Sequence, residues 1–299
     1  MKKYRGECML LMASFLWGSS LIAQKFGTYH LGALSFSAAR TLLGALCLLP
    51  VICLMEVKKP KEQREEEKRR YKTKDLLVGG FLCGCALAVG AFLQQLALAT
   101  SSVGKAGFIS TMYVVVVPLI SLLRGKKISR YTWLGIVSAV LGLYLLCVTG
   151  DFTIAAGDLI LLFSTLFWAG QIIFMGEYAD KTDSLKLTMM MFLTTGILSL
   201  IAALLFEDFA IRDVLEGWKP LLYTAIFAVA GGYSLQALGQ KTADPVTAGI
   251  IFSTESIFSA ICAAVILHER MNMREWCGVI FIIAAVLLSQ MKSKKEVVS

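Results

Sequence analysis

The stretch IIFSTESIF, Ile250 to Phe258, places a carboxylate, Glu255, inside an apolar run that extends from about Val246 to Leu267. A run of that length fits a transmembrane helix, which needs about 20 apolar residues. A charged side chain at the centre of such a helix costs at least ~2.5–3.5 kcal/mol, even on the mild insertion scale. The rest of the chain reads the same way. Hydrophobic residues make up 57% of the 299 residues and charged residues 17%, and the mean hydropathy is +0.70. A soluble domain would carry about a quarter charged residues. The sequence therefore predicts an all-α integral membrane protein that crosses the bilayer many times.

The net charge of +8 does not indicate a nucleic-acid partner. The positive residues sit in the gaps between apolar runs, as they do in cytoplasmic loops. Of the eight cysteines, Cys47, Cys83, Cys85, Cys147 and Cys262 lie within apolar runs, where cysteine acts as a small hydrophobe. Cys83 and Cys85 lack a zinc spacing, and the two histidines, His30 and His268, give little basis for a metal site. No metal or cofactor is expected. The basic start MKKYR before the run from Glu7 to about Phe26 resembles a signal peptide, but no small-x-small cleavage site closes it, so it reads as the first span.

Ten spans are expected, at about 7–27, 33–55, 75–98, 105–123, 131–149, 155–178, 186–206, 218–240, 245–267 and 274–291. Between the second and third, Val57 to Asp75 carries nine Lys and Arg and reads as a solvated cytoplasmic loop. An inside N-terminus puts most Lys and Arg on one side and leaves only Lys105, Arg212, Lys219, Arg270 and Arg274 on the other. That asymmetry places both termini in the cytoplasm of a multi-pass protein of the cell membrane. The chain also repeats itself. FLWGSSLIAQ (Phe15–Gln24) matches LFWAGQIIFM (Leu166–Met175), and SVGKAGFIST (Ser102–Thr111) matches DPVTAGIIFS (Asp244–Ser253). YTWLGIVSAVLGLYLL (Tyr131–Leu146) matches REWCGVIFIIAAVLLS (Arg274–Ser289). The expected fold is ten transmembrane helices as two inverted five-helix repeats, residues 1–150 and 151–299. Halves of opposite orientation can exchange conformations and open a central site to alternate sides, which points to a transporter.

Ordered motifs across the whole chain resemble the drug/metabolite transporter superfamily, and within it the EamA-like family. They are LWGSS in span one, AARTLLGALCLLP with Arg40 in span two and KAGFISTMYVVVVPLISLL in span four. TADPVTAGIIFSTESIFSAICAAVILHER and EWCGVIFIIAAVLLS carry it in the second half. The resemblance implies a carrier of amino acids or other small metabolites. Where the family usually has Glu-Pro in span nine, this chain has Glu255-Ser256, which predicts a straighter helix there.

Glu255 leads the candidate binding residues, as a ligand for a substrate amine or as the group that couples protons; the other reading is a neutral carboxyl joining helices. Ala248, Phe252, Glu255, Ser259 and Cys262 share one helical face. Arg40 would anchor a substrate carboxylate or snorkel to the interface, as Lys25 and Lys105 are expected to do. Ser14, Trp17, Ser20 and Gln24 form a stripe that Thr165, Trp168, Gln171 and Met175 repeat. It would line a cavity or glue helices together. Gln94 and Gln95, Tyr233 and Gln236 add polar groups that should face inward, and Tyr113 is the repeat mate of Glu255. Asp244-Pro245 reads as a helix cap, and Pro118 as a bend.

Two other functions compete. A membrane-embedded lipid transferase would need clustered catalytic groups, and only DKTD, Asp180–Asp183, offers carboxylates at one end of a span. A channel would need a filter segment or a charged ring. No Walker A motif is present, so ATP is not the direct driver. The expected partners are a small-molecule substrate, the lipid bilayer and, as coupling ion, protons.

Overall fold

The computed structural model describes residues 4–27, 29–98, 108–148, 156–208, 211–267 and 272–291. Among them the chain is entirely helical. In order the helices are α1 (Arg5–Gly27), α2 (Ala33–Lys58), α3 (Lys61–Arg70), α4 (Thr73–Leu98), α5 (Tyr113–Leu123) and α6 (Arg130–Cys147). Then come α7 (Ala156–Tyr178), α8 (Ser184–Phe206), the short α9 (Ile211–Glu216) and α10 (Trp218–Gly239), whose middle, Thr224–Tyr233, is π-helical. The last are α11 (Pro245–Phe252), α12 (Glu255–Leu267) and α13 (Met273–Ser289). Lys105 and Arg270 lie outside the described residues.

Eight helical stretches are long and apolar enough to cross a membrane: α1, α2, α4, α6, α7, α8, α10 and the α11–α12 stretch. The other two expected spans are shorter apolar helices. One is Phe108–Leu123. The other is α13, whose 17 residues extend about 25 Å at 1.5 Å per residue.

Many large apolar side chains stay exposed on the helices, while the buried set joins small and polar residues to large ones such as Phe36, Phe192 and Phe252. α6 and α13 meet backbone to backbone. A Cβ on Gly142 would lie 2.7 Å from the Gly278 carbonyl oxygen, so only glycine permits this approach. α4 packs on α7 and α8, α2 on α8, and α1 on α10 and α12.

Both ends of the α2–α8 pair are clasped. The N-cap of α2, Gly32, has no capping side chain. Glu207, just past α8, does that work, accepting from Leu34 N and Ser35 N at 2.9 Å and from Ser35 Oγ at 2.5 Å. Glu207→Gln replaces an acceptor by a donor facing backbone N–H groups. It should cost ~1.5–3 kcal/mol, the worth of a hydrogen bond to a charged group, read as a lower Tm in detergent.

At the opposite end the Lys59 ammonium meets Glu67 at 2.8 Å and Glu56 and Asp183 at 3.2 Å, while Lys186 pairs with Glu56 at 2.7 Å. Burial works against the Lys59 charge, but hydrogen bonds to Glu67 and Asp183 outweigh it and hold the group above the ordinary lysine range. A raised folded value means that the Lys59 contribution is lost as pH climbs above ~10.4 and through the raised value. In acid the clasp is lost from the other side, as its carboxylates protonate. Arg70–Asp180 and Arg124–Glu177 pairs flank it.

Two expectations are corrected here. The Val57–Asp75 gap is not irregular chain. KEQREEEKRR consists of good helix formers and forms α3, which Glu67 ties back to Lys59. The stretch before Glu255 is not one continuous helix either. α11 ends at Phe252, and Ser253 and Thr254 form a turn before α12. Their hydroxyls donate to the Ile250 and Ile251 carbonyls at 2.6 and 2.7 Å, competing with the helix ladder. The ladder tightens there to three-residue bonds, Thr254 N to Ile251 O and Ser256 N to Ser253 O. No proline is required. Asp244 caps α11 as expected, accepting from Val246 N and Thr247 N, with Pro245 at the first turn.

Candidate functional site

The apolar helices line a narrow central cavity of about 60 Å³, more than the ~10–15 Å³ that a single water needs. α1 supplies Trp17, Leu21 and Gln24; α2 supplies Arg40; α4 supplies Gln94. Ser110 and Tyr113 flank the interruption at Thr111–Met112. α7 gives Trp168, Gln171 and Ile172, and α10 gives Ala228, Val229 and Tyr233. Phe252 closes α11 and Glu255 opens α12.

Nine of the candidate residues thus line one cavity: Glu255, Tyr113, Trp17, Trp168, Gln24, Gln171, Arg40, Gln94 and Tyr233, while Ser14, Gln95, Thr165 and Met175 are buried outside its lining. Ser20 and Gln236 stand behind it. Ser20 Oγ accepts from Gln24 Nε2 at 3.1 Å and donates to the Trp17 carbonyl at 2.8 Å. Gln236 and Gln171 exchange amide hydrogen bonds at 3.0 and 3.2 Å, and Gln236 also donates to Gln240 Oε1 at 2.9 Å. That network joins α7 to α10, so much of the hydrogen-bonding capacity of Gln171 is spent on helix packing.

Two charges face the cavity. Glu255 is half-buried and its carboxyl has no hydrogen-bond partner among the described residues. It sits in the first turn of α12, where the helix dipole favours a negative charge. α1 comes close enough to hold it there: a Cβ on Gly18 would lie 2.5 Å from the Glu255 carbonyl oxygen. Arg40 is buried, at 6% exposure. Its Nη1 donates to Gln24 Oε1 at 2.7 Å, its guanidinium lies 5.5 Å from the Phe36 ring centre, and Nε has no partner among the described residues. Among those residues Arg40 makes no ion pair, with Glu255 or with any other carboxylate.

One wall is aromatic. Trp17 packs between Tyr233, at 4.9 Å between ring centres, and Phe252, at 5.0 Å; Tyr233 continues to Phe192 at 5.7 Å. The Trp17 indole donates to the Ala228 carbonyl at 2.9 Å, inside the π-helical segment of α10. The buried Trp168 N–H has no partner among the described residues. Among those residues the mates therefore differ: Trp17 is tied down and Trp168 is not.

Leu21, Ser110, Ile172, Ala228 and Val229 also line the cavity without having been named from the sequence, as does Phe252, named there only for its helical face. Phe252 stood on the named face of Glu255 and could have been added. Ala228 and Val229 could not, since their exposure to the cavity depends on a π turn that no residue type announces. DKTD has a structural role: Asp183 caps α8 through Leu185 N and Lys186 N, and Asp180 pairs with Arg70.

Comparison with known proteins agrees with this geometry. The model of the EamA-like transporter family matches residues 4–148 and again 155–291. An uncharacterized transporter of Archaeoglobus fulgidus is 25% identical over 97% of this chain and 87% of its own length. The uncharacterized transporter YvbV of Bacillus subtilis is 22% identical over 98% and 94%. A solved crystal structure shares the fold, with a TM-score of 0.76 over 95% of this chain and 96% of that one at 16% identity. The chain belongs to the EamA-like transporter family.

Proposed function

We propose that this membrane transporter is a secondary carrier that moves small zwitterionic metabolites, amino acids foremost, across the cell membrane by alternating access. One observation carries the reading: Arg40 and Glu255 line the same cavity without pairing with each other. A substrate carboxylate on Arg40 and an ammonium on Glu255 would satisfy both. Buried charges are ordinarily paired, and a zwitterion supplies both partners at once.

The packing supports inverted five-helix halves, 1–150 and 151–299, with ten spans. Setting α1, α2, α4, α5 and α6 against α7, α8, α10, α11–α12 and α13, the contact of α4 on α7 has its mate in α10 on α1. α2 on α8, α5 on α11 and α6 on α13 join mates directly. The helix breaks at Thr111–Met112 and Ser253–Thr254 also correspond under the alignment that pairs Tyr113 with Glu255. Discontinuous helices beside a central site are a recurrent feature of such carriers. The charge distribution supports cytoplasmic termini and a cytoplasmic α3. A cysteine placed in Lys61–Arg70 should therefore be shielded from an impermeant thiol reagent outside intact cells.

The reading is tested by titrating purified protein with the common amino acids, each beside its decarboxylated amine and its deaminated acid. Tryptophan fluorescence is the readout, since Trp17 and Trp168 line the cavity. At least one zwitterion should change the signal and bind tenfold or more tighter than both analogues. Equal binding of an amine or acid analogue would contradict it. Glu255 also suits proton coupling, in which case transport of the bound zwitterion responds to a pH gradient.

A further inference from the structure

We infer that Gln24 sets the charge selectivity of the cavity, holding Arg40 in place with an uncharged partner so that its positive charge stays available to an anionic group. The inference rests on the zwitterion reading and extends it to a residue that decides which charge is accepted. A buried guanidinium normally meets a carboxylate. Here its hydrogen-bond partner is an amide oxygen at 2.7 Å, with both side chains buried.

The amide cannot turn round without loss. Its nitrogen donates to Ser20 Oγ, and the Ser20 hydrogen is committed to the Trp17 carbonyl. Ser20 therefore acts as a positioning residue through Gln24. Glutamate at this position has the same shape and would reach Arg40 through the same geometry, forming a neutral ion pair. The amide thus keeps a net positive charge on the cavity wall, and among the described residues only Nη1 of the guanidinium carries a hydrogen bond.

The test is Gln24→Glu, with leucine, phenylalanine and glutamine as probes, each beside the amine that lacks its carboxylate. Wild-type protein should prefer the amino acid by tenfold or more. Gln24→Glu should weaken amino-acid binding at least tenfold while amine binding holds or improves, so the preference collapses or inverts. Ser20→Ala keeps the charge but frees the amide, and should weaken the amino acid alone, severalfold. A folded Gln24→Glu protein with the wild-type preference overturns the inference. Should Gln24→Glu fail to fold, Ser20→Ala decides: selective loss of the amino acid supports the inference, and equal loss of both probes overturns it. Failure of the zwitterion reading looks different, since wild-type protein would then show no preference for the amino acid.

Discussion

Glu255→Gln is expected to insert and fold like the wild type and to lose about tenfold to a hundredfold in affinity for a zwitterionic substrate. The fold should survive because the carboxyl has no partner to abandon among the described residues, and glutamine keeps its shape. The loss follows from the interaction removed. A hydrogen bond to a charged group contributes ~1.5–3 kcal/mol, and each 1.4 kcal/mol is a tenfold change. Binding of the deaminated acid, which carries no ammonium, should be unchanged. If Glu255 couples protons instead, Glu255→Gln will retain exchange of substrate but lose its response to a pH gradient. A variant that binds and transports normally at every pH would leave Glu255 with a structural role only.

Arg40→Gln should separate stability from function even more sharply. A buried cation whose partners are an amide oxygen and an aromatic ring has its desolvation cost only partly offset, so removing it should leave the Tm unchanged or raise it. Carboxylate-bearing ligands should lose about a hundredfold or more, because an Arg–carboxylate contact is charge-assisted and can be bidentate. A Tm that falls by several degrees with ligand binding intact would make Arg40 a helix-packing group instead. Thermal unfolding with and without ligand gives both answers in one experiment.

The apolar helices were legible because a bilayer demands long runs of one chemistry, and eight of the expected spans are helices of spanning length. Arg40 and Glu255 stood out for the converse reason, as charges within such runs, and both line the cavity. Their separation was not legible, since nothing in a sequence says whether two distant charges meet. α3 escaped notice because KEQREEEKRR has no apolar face to give it periodicity, and its anchor, Lys59, draws on Asp183 far along the chain. The break before Glu255 arose from Ser253 and Thr254 bonding back to the helix, where the missing proline had suggested a straight one. Gln171 and Gln236 looked like two separate lining groups. Their reciprocal hydrogen bonds come from the packing of α7 on α10, which helical spacing cannot reveal.

The central claim is that one cavity carries a zwitterion between Arg40 and Glu255 across the membrane. Counterflow in proteoliposomes tests it most directly: vesicles are loaded with an unlabelled amino acid, and uptake of the labelled compound is followed without ATP or an ion gradient. The expected result is a transient, saturable accumulation that depends on internal substrate, is not supported by the decarboxylated or deaminated analogue, and is lost in Arg40→Gln. Flux that rises linearly with concentration, ignores internal substrate and passes all three compounds alike would contradict the account.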